Sequence, residues 1–225
     1  MKNLLLSFAG LLIISLTFPT EICGQGEEES SGFGVNANIS SNYIWRGTRY
    51  GNGPHIQPDM KYNSGRFTAG VWGSFSFSGY SEADPYISYT FPLGLSVGVT
   101  DYYYPDLKLS DFSVANGSHA LELNCGYTWR ILNLNANYIL NKAGGAGSAG
   151  DDLYFQTGFT FSKFNVFAGA GNGWHTSTGK FNVCNIGVGT GKVIKLTDAF
   201  TIPVTGQVII NPEREQLFIV AGFSF

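Results

Sequence analysis

The chain has 225 residues, with 13 Lys and Arg against 16 Asp and Glu, and a formal net charge of −3. This charge balance excludes binding to nucleic acid through its phosphates, so no nucleic-acid partner is expected. The 30 glycines and the 18 Phe, 12 Tyr and 4 Trp residues favour short strands joined by tight turns over long helices.

The N-terminus is a different kind of sequence from the rest. Lys2 precedes an apolar run over residues 4–18, followed by small and polar residues. This pattern predicts a signal peptide over residues 1–24, with cleavage between Gly24 and Gln25. Cys23 lacks the small preceding residue of lipid-modified cysteines, so it is expected to be removed with the signal. The chain is therefore predicted to be exported.

The acidic segment "GEEESSG", which follows Gln25, predicts a flexible periplasmic tether over residues 25–31. After it, no window of ~18 apolar residues predicts a transmembrane helix. Residues 32–225 are predicted to form a single β domain.

From Phe33 onward, apolar and polar residues alternate with a period of two through almost the whole chain. Val35, Ala37 and Ile39 share one face of the first strand, while Asn36 and Asn38 share the other. About twelve such strands of about ten residues follow one another, the length that a tilted strand needs to cross a bilayer. The tenth, near residues 181–190, is the least regular and predicts a β-bulge.

The same alternation suits a soluble sandwich, a soluble ligand-carrying barrel or a membrane barrel with its apolar face outside. Loop lengths favour the membrane barrel, since short periplasmic turns and longer outer loops are typical of it. The outer connections are predicted at 47–53, 78–81, 105–118, 142–150, 172–180 and 211–214. Those at the other end are tighter, except 191–199.

Aromatic residues on the apolar face are predicted to cluster near both ends of the strands, as in the two interfacial girdles of a barrel in lipid. Tyr43, Trp45, Phe75 and Trp174 are among those expected at the outer end. Phe159 is among those expected at the other.

The last strand, "LFIVAGFSF", ends on Phe225 and is apolar at every second position. Phe223 and Phe225 are predicted to form an assembly signal for the barrel-assembly machinery. Because lipid forbids open sheet edges, the sheet must close. The fold class is predicted to be all-β: a single up-and-down antiparallel transmembrane β-barrel of about 12 strands. It is placed in the outer membrane of a Gram-negative-type bacterium, surrounded by outer-membrane lipid.

The polar face then lines the lumen. The residues expected in the lumen or at its constriction are Arg46, Asp59, Lys61, Trp72, Glu82, Asp84, Tyr86, Glu122, Asp152 and Tyr154. They form either a network of neutralising pairs that plugs the barrel, such as Arg46 with Asp59 or Glu82, or a constriction that selects solutes. The acidic excess predicts a preference for cations. The inward aromatic rings either fill space or guide sugars or nucleosides.

Four stretches carry a family resemblance: "SNYIWRGTRYGNGPHIQPDMKY", "FTAGVWGSFSF", "EADPYISYTF" and "VGVTDYYYP". They resemble the TorF-type porin family, formerly catalogued as a bacterial conserved-hypothetical family. The resemblance covers residues 38–105 in detail, and Trp45 stands where Phe is more usual. It implies an outer-membrane barrel with a transport role and names no particular solute.

The function predicted from these features is a small porin or channel for passive diffusion of small polar solutes. A non-conducting structural or adhesive barrel, presenting loops 105–118, 142–150 and 172–180, is the alternative. A lipid-modifying enzyme needs Ser and His together on the outer wall, and only His55, His119 and His175 are available. No catalytic site, metal or cofactor is expected. Cys125 and Cys184 are expected to be small buried apolar residues rather than a disulfide.

Overall fold

The structure is a computed structural model that describes residues 31–198 and 200–225. The predicted signal peptide, with Cys23, and the tether up to residue 30 lie outside the described residues. Within the described residues, no helix has the length and apolar character needed to cross a membrane.

Twelve strands of the described chain form the wall of a barrel, and two short strands lie between the first and second of them. The wall strands are β1 (Gly32–Ser40), β4 (His55–Ser64), β5 (Phe67–Ser76), β6 (Ser81–Thr90), β7 (Leu95–Tyr103), β8 (His119–Trp129), β9 (Leu132–Ile139), β10 (Leu153–Thr160), β11 (Asn165–Gly171), β12 (Asn182–Lys195), β13 (Thr201–Asn211) and β14 (Gln216–Ser224). The short strands are β2 (Tyr43–Trp45) and β3 (Thr48–Tyr50). Two 3-10 turns, Pro92–Gly94 and Gly173–His175, complete the regular structure.

The sheet closes as an antiparallel barrel in which β1 pairs with β4 on one side and with β14 on the other. Neighbours along the chain are neighbours in the wall, so the predicted up-and-down barrel of twelve strands is confirmed. The predicted loop asymmetry is present as well. The turn expected over 191–199 is shorter than predicted, because β12 continues to Lys195 and β13 begins at Thr201.

The barrel is apolar outside and polar inside, as the alternation predicts. Large apolar side chains lie exposed along the wall, for example Ile87, Leu123 and Phe155. Most of the buried side chains are polar or charged. Since burying polar groups is unfavourable unless they are paired, this distribution suits a wall whose outer face contacts hydrocarbon.

The irregularity predicted in the tenth strand is a β-bulge in β12. Gly169 of β11 pairs with Asn185, but the next residue, Ala170, pairs with Val183. Cys184 is therefore the extra residue of the bulge and is fully buried, whereas Cys125 is exposed on the outer face of β8. The expectation that both cysteines are buried holds only for Cys184, and both are free thiols.

The first predicted strand is wrong in its outer half. β1 ends at Ser40, and the chain then turns into the lumen as the hairpin β2–β3, in which Trp45 pairs with Thr48. Arg46 and Gly47 make the turn with φ of 50° and 81°. Positive φ values at both central residues are typical of the type I′ turn, whose twist matches that of the two strands it joins. Residues 41–54 are called the lumen hairpin below.

Candidate functional site: a lumen closed by its own hairpin

The lumen hairpin crosses the barrel from β1 to β8 and carries Arg46 at its tip. Arg46 donates from Nη1 to Oε2 of Glu122 at 2.6 Å and from Nη2 to Oε1 at 2.8 Å. The side chains of Arg46 and Glu122 are 4% and 0% exposed. A bidentate pair of this kind is short and directional, so it fixes the position of the hairpin tip.

Neighbouring groups complete the surroundings of this ion pair. Tyr102 donates its hydroxyl to Glu122 Oε1 at 2.9 Å, and Asn124 donates to the same oxygen at 2.6 Å. The guanidinium of Arg46 lies 4.6 Å from the ring centre of Trp45 and 4.4 Å from that of Tyr154. Two ring faces and one carboxylate therefore replace the water that the buried cation has lost.

Gly47 seats the hairpin tip against β12 and β13. Its carbonyl accepts a hydrogen bond from Asn211 Nδ2 at 3.0 Å. A Cβ built on Gly47 would overlap the carbonyl oxygen of Cys184, the bulged residue of β12. The backbones approach so closely that only glycine fits here, and its φ of 81° adds a second reason for glycine.

Aromatic rings fill the outer half of the lumen around the hairpin. Trp45 contacts Tyr50, Tyr102 and Trp174 at centroid distances between 5.3 and 5.9 Å. The ring of Tyr43 lies 5.5 Å from that of Trp72. The hairpin and these rings close the outer half of the barrel.

The outer loops fold over this cluster. Ala143 and Ala146, from the loop between β9 and β10, belong to the same buried cluster as Trp45. Trp174 donates from Nε1 to the carbonyl of Gly147. Within the predicted outer connection 142–150, a bridge between Ala143 and Ser148 orders the glycine-rich chain.

Three expectations about aromatic residues are therefore wrong. Tyr43 and Trp45 were predicted on the lipid face at the outer end of the first strand, and Trp174 beside them. All three lie inside the barrel instead. The chain leaves the wall after Ser40, so the alternation of the first strand no longer reports which side faces lipid. The polar Ser41 at a position of the apolar face was the signal that the strand had ended.

The other predicted lumen carboxylates have hydroxyl or amide partners rather than cations. Tyr86 donates to Asp59 at 2.8 Å, and Tyr80 donates to Glu82 at 2.8 Å. Asp84 accepts a long bond from the backbone N–H of Tyr103. One oxygen each of Asp84 and Asp152 is buried without a hydrogen-bond partner.

The partner of Arg46 is not the predicted one. Asp59 or Glu82 was expected, but Glu122 on the far wall holds the guanidinium. The hairpin carries Arg46 away from β4 and β6 and across the lumen, which brings it to β8. The order of the strands does not show how far the hairpin reaches across the lumen. The sequence therefore could not identify Glu122 as the partner of Arg46.

The half of the lumen at the end of the short turns, called the periplasmic half after the predicted orientation, has a different lining. Its inward positions are mostly small or polar and half-buried: Asn36, Asn63, Thr68, Gly70, Ser88, Ser96, Gly98, Asn133, Asn135, Thr160 and Ser224. Lys61 lies among them. Its side chain extends across Gly34, the residue of β1 with which it pairs. Small side chains at these positions occupy less of the lumen than the rings of the outer half do.

Each histidine is enclosed. His119 bonds Asp101 through Nδ1 and the carbonyl of Leu109 through Nε2, both at 2.8 Å. His55 contacts Ser74 at 2.9 Å. Both residues are fully buried inside the barrel, whereas a lipid-modifying enzyme needs its Ser and His on the outer wall. The residues described here hold no group of three or more His, Cys, Asp or Glu placed to bind a metal ion.

At the outer rim, Glu213 ties the turn after β13 to the loop after β11. The backbone N–H of Ser177 donates to both carboxylate oxygens of Glu213 at 3.0 Å, and its hydroxyl donates as well. These bonds lower the pKa of Glu213 below its ordinary value of 4.5.

The contribution of this contact to loop stability is present above the ordinary pKa and is lost as the pH falls through the lowered pKa. We expect the Ser177 amide to be protected from hydrogen exchange at neutral pH and to lose protection in acid, after correction for intrinsic exchange. Glu213→Gln should remove this pH dependence. An identical pH dependence in both proteins would contradict the assignment.

The model of one bacterial family matches residues 26–190, more than half of the chain. The chain belongs to this family, described as a bacterial protein of unknown function (Gcw_chp). No curated protein matches the Gcw_chp chain. Outer membrane phospholipase A from Escherichia coli is a similar solved structure, with a TM-score of 0.36 and 10% identity over 86% of this chain and 87% of that one.

Proposed function

We propose that this Gcw_chp protein is a small outer-membrane channel for passive diffusion of polar solutes, and that the lumen hairpin closes it from the outer side. It acts without catalysis or cofactor. The lining of the lumen carries this proposal. Large buried rings and ions occupy the outer half, while small polar side chains such as Asn133 and Ser96 line the periplasmic half.

A lumen packed only for stability has no need of a half-buried polar lining at one end. Polar side chains of this kind replace part of the hydration of a solute as it passes. The closure is built around one short hairpin, which an ion pair holds at its tip and which packs against rings of the wall and the outer loops. The resemblance of residues 38–105 to TorF-type porins agrees with a transport role.

A non-conducting structural barrel is the second candidate. The Arg46–Glu122 pair favours it, because both charged groups are buried and hydrogen-bonded. In that case, the hairpin is a permanent plug that stiffens the barrel.

Single-channel recording of the purified protein in a planar bilayer separates the two. We expect long closed periods interrupted by discrete current steps. A wild-type protein that inserts but stays silent, together with a Glu122→Gln variant that conducts, would favour the permanent plug.

Charge selectivity provides a separate test in a salt gradient. Carboxylates outnumber cations among the predicted lumen residues, so the reversal potential should indicate a cation preference. Asp59→Asn should weaken this preference, and Lys61→Glu, two residues along the same face of β4, should strengthen it. If neither variant shifts the reversal potential, the solute path does not run along β4.

A further inference from the structure

The seam between the first and last strands of the barrel is incomplete. β1 and β14 share three paired positions, from Asn38 with Ser224 to Ser40 with Gly222, whereas β12 and β13 share ten. Reciprocal bonds between Ala37 and Phe225 extend the seam at one end. At the other end, the backbone N–H of Ser41 donates to the carbonyl of Ala221, and the pairing then stops.

The outer half of β14 therefore has a strand on one side only. The backbone groups of Ala221 bond Ser41, so those of Ile219 and Leu217, two and four residues away, point to the same side. No described strand pairs with them there, because the chain has turned into the lumen after Ser41. An open edge in hydrocarbon is costly, so this edge needs a partner.

A small apolar cluster, separate from the aromatic cluster around Trp45, lies in the lumen behind this edge. Ile44 of the hairpin packs there with Phe167 and Ile209, and Phe218 and Val220 of β14 contact the same cluster. The cluster contains no charged residue. Beside it lies a cavity of about 20 Å³, whose lining is mostly polar but uncharged, with Ile44 and Val220 as its aliphatic members.

We infer that the gap between the outer half of β14 and the lumen hairpin, here called the seam portal, receives the acyl chain of a membrane amphiphile. The chain end enters from the outer leaflet and packs against Phe218, Val220 and Ile44. In the structure, the side chain of Ile44 packs at this position. This inference rests on the proposed membrane location and does not depend on conduction.

Two features select an amphiphile over a polar solute. The outward side chains beside the gap, Leu217 and Ile219, are 60% and 70% exposed and continue the apolar wall into the apolar lumen cluster. The unpaired backbone N–H and C=O groups of the same two residues provide hydrogen-bond partners for a polar head. An acyl chain with a hydrogen-bonding head matches both surfaces at once.

Photo-crosslinking of the full-length protein in lipid vesicles tests the portal. The probe is palmitate that carries a diazirine near its methyl end, with crosslinked residues identified by mass spectrometry. We expect adducts on the lumen-facing Ile44, Phe218 or Val220, in addition to outward-facing residues around the wall. Ile44→Ala should raise the lumen-facing yield, because it removes the side chain that packs at this position.

A pair of variants provides the matched control. Val220→Trp should lower the lumen-facing yield by at least about tenfold, equivalent to about 1.4 kcal/mol of lost binding. Val208→Trp should not, because Val208 lies on the neighbouring strand and faces lipid at 39% exposure. Heat-modifiable migration in gels verifies that both variants fold.

Adducts confined to outward-facing residues would overturn the portal while leaving the membrane location intact. A lumen-facing yield that Val220→Trp leaves unchanged would overturn it as well. A disulfide-linked dimer formed specifically by Ile219→Cys, without lumen-facing adducts, would assign the open edge to a second copy of the chain instead.

Discussion

Replacing Glu122 by glutamine is expected to release the lumen hairpin and raise the open probability of the barrel by about a hundredfold. The change leaves the guanidinium of Arg46 buried without a counter-charge, and breaking one partner of a buried pair costs about 3–5 kcal/mol. Each 1.4 kcal/mol changes an equilibrium constant tenfold, so about 3 kcal/mol suffices for this shift. Single-channel recording measures it directly.

The matched control is Asp59→Asn. Asp59 is also a buried lumen carboxylate, but its partner is the hydroxyl of Tyr86 on the barrel wall rather than a hairpin residue. Its loss should alter charge selectivity and leave the open probability near the wild-type value. Equal effects of the two substitutions would show that lumen charge, and not the anchoring of the hairpin, sets the open probability.

Replacing Gly47 by alanine is expected to unseat the hairpin tip even though the Arg46–Glu122 pair is left intact. The new Cβ would overlap the carbonyl of Cys184, and a left-handed φ costs a non-glycine residue roughly 1–2 kcal/mol by itself. The backbone of β12 is held in the sheet, so the hairpin is the part that must move.

Gly53→Ala separates the two causes. Gly53 has a φ of 76°, close to that of Gly47, but a Cβ there would meet nothing within 4 Å. This variant should show the backbone cost without the displacement. If Gly53→Ala opens the barrel as much as Gly47→Ala, then strain in the hairpin, and not its contact with β12, explains the effect.

Cys184 provides a readout for both experiments that does not depend on conduction. Its side chain is fully buried at the bulge where the hairpin tip docks. In a Cys125→Ser background, a water-soluble maleimide should react with Cys184 only when the hairpin leaves. The labelling rate should rise in Glu122→Gln and Gly47→Ala and stay low in the two control variants.

The barrel itself was predictable because its physical cause is local. Lipid on one side and a polar lumen on the other impose alternation on every wall strand, and Ile87 and Leu123 lie on the predicted face. The bulge was also visible, since an extra residue at Cys184 interrupts the alternation in the sequence itself.

The hairpin was not predictable by the same argument. Tyr43 and Trp45 keep the period of a wall strand, but in the lumen the same residues pack against Trp72 and Trp174 rather than lipid. Periodicity shows that two side chains share a face. It does not show what lies opposite that face once the chain has left the wall.

The sequence by itself determined a closed twelve-stranded barrel with an apolar exterior, because alternation and turn spacing are properties of neighbouring residues. Only the tertiary structure decided that Arg46 meets Glu122, that Gly47 docks on the β12 bulge and that β14 keeps an open edge. Each of these features depends on where the hairpin leaves the wall and where its tip meets other strands. The closure of the whole sheet sets the distance that the hairpin spans between them.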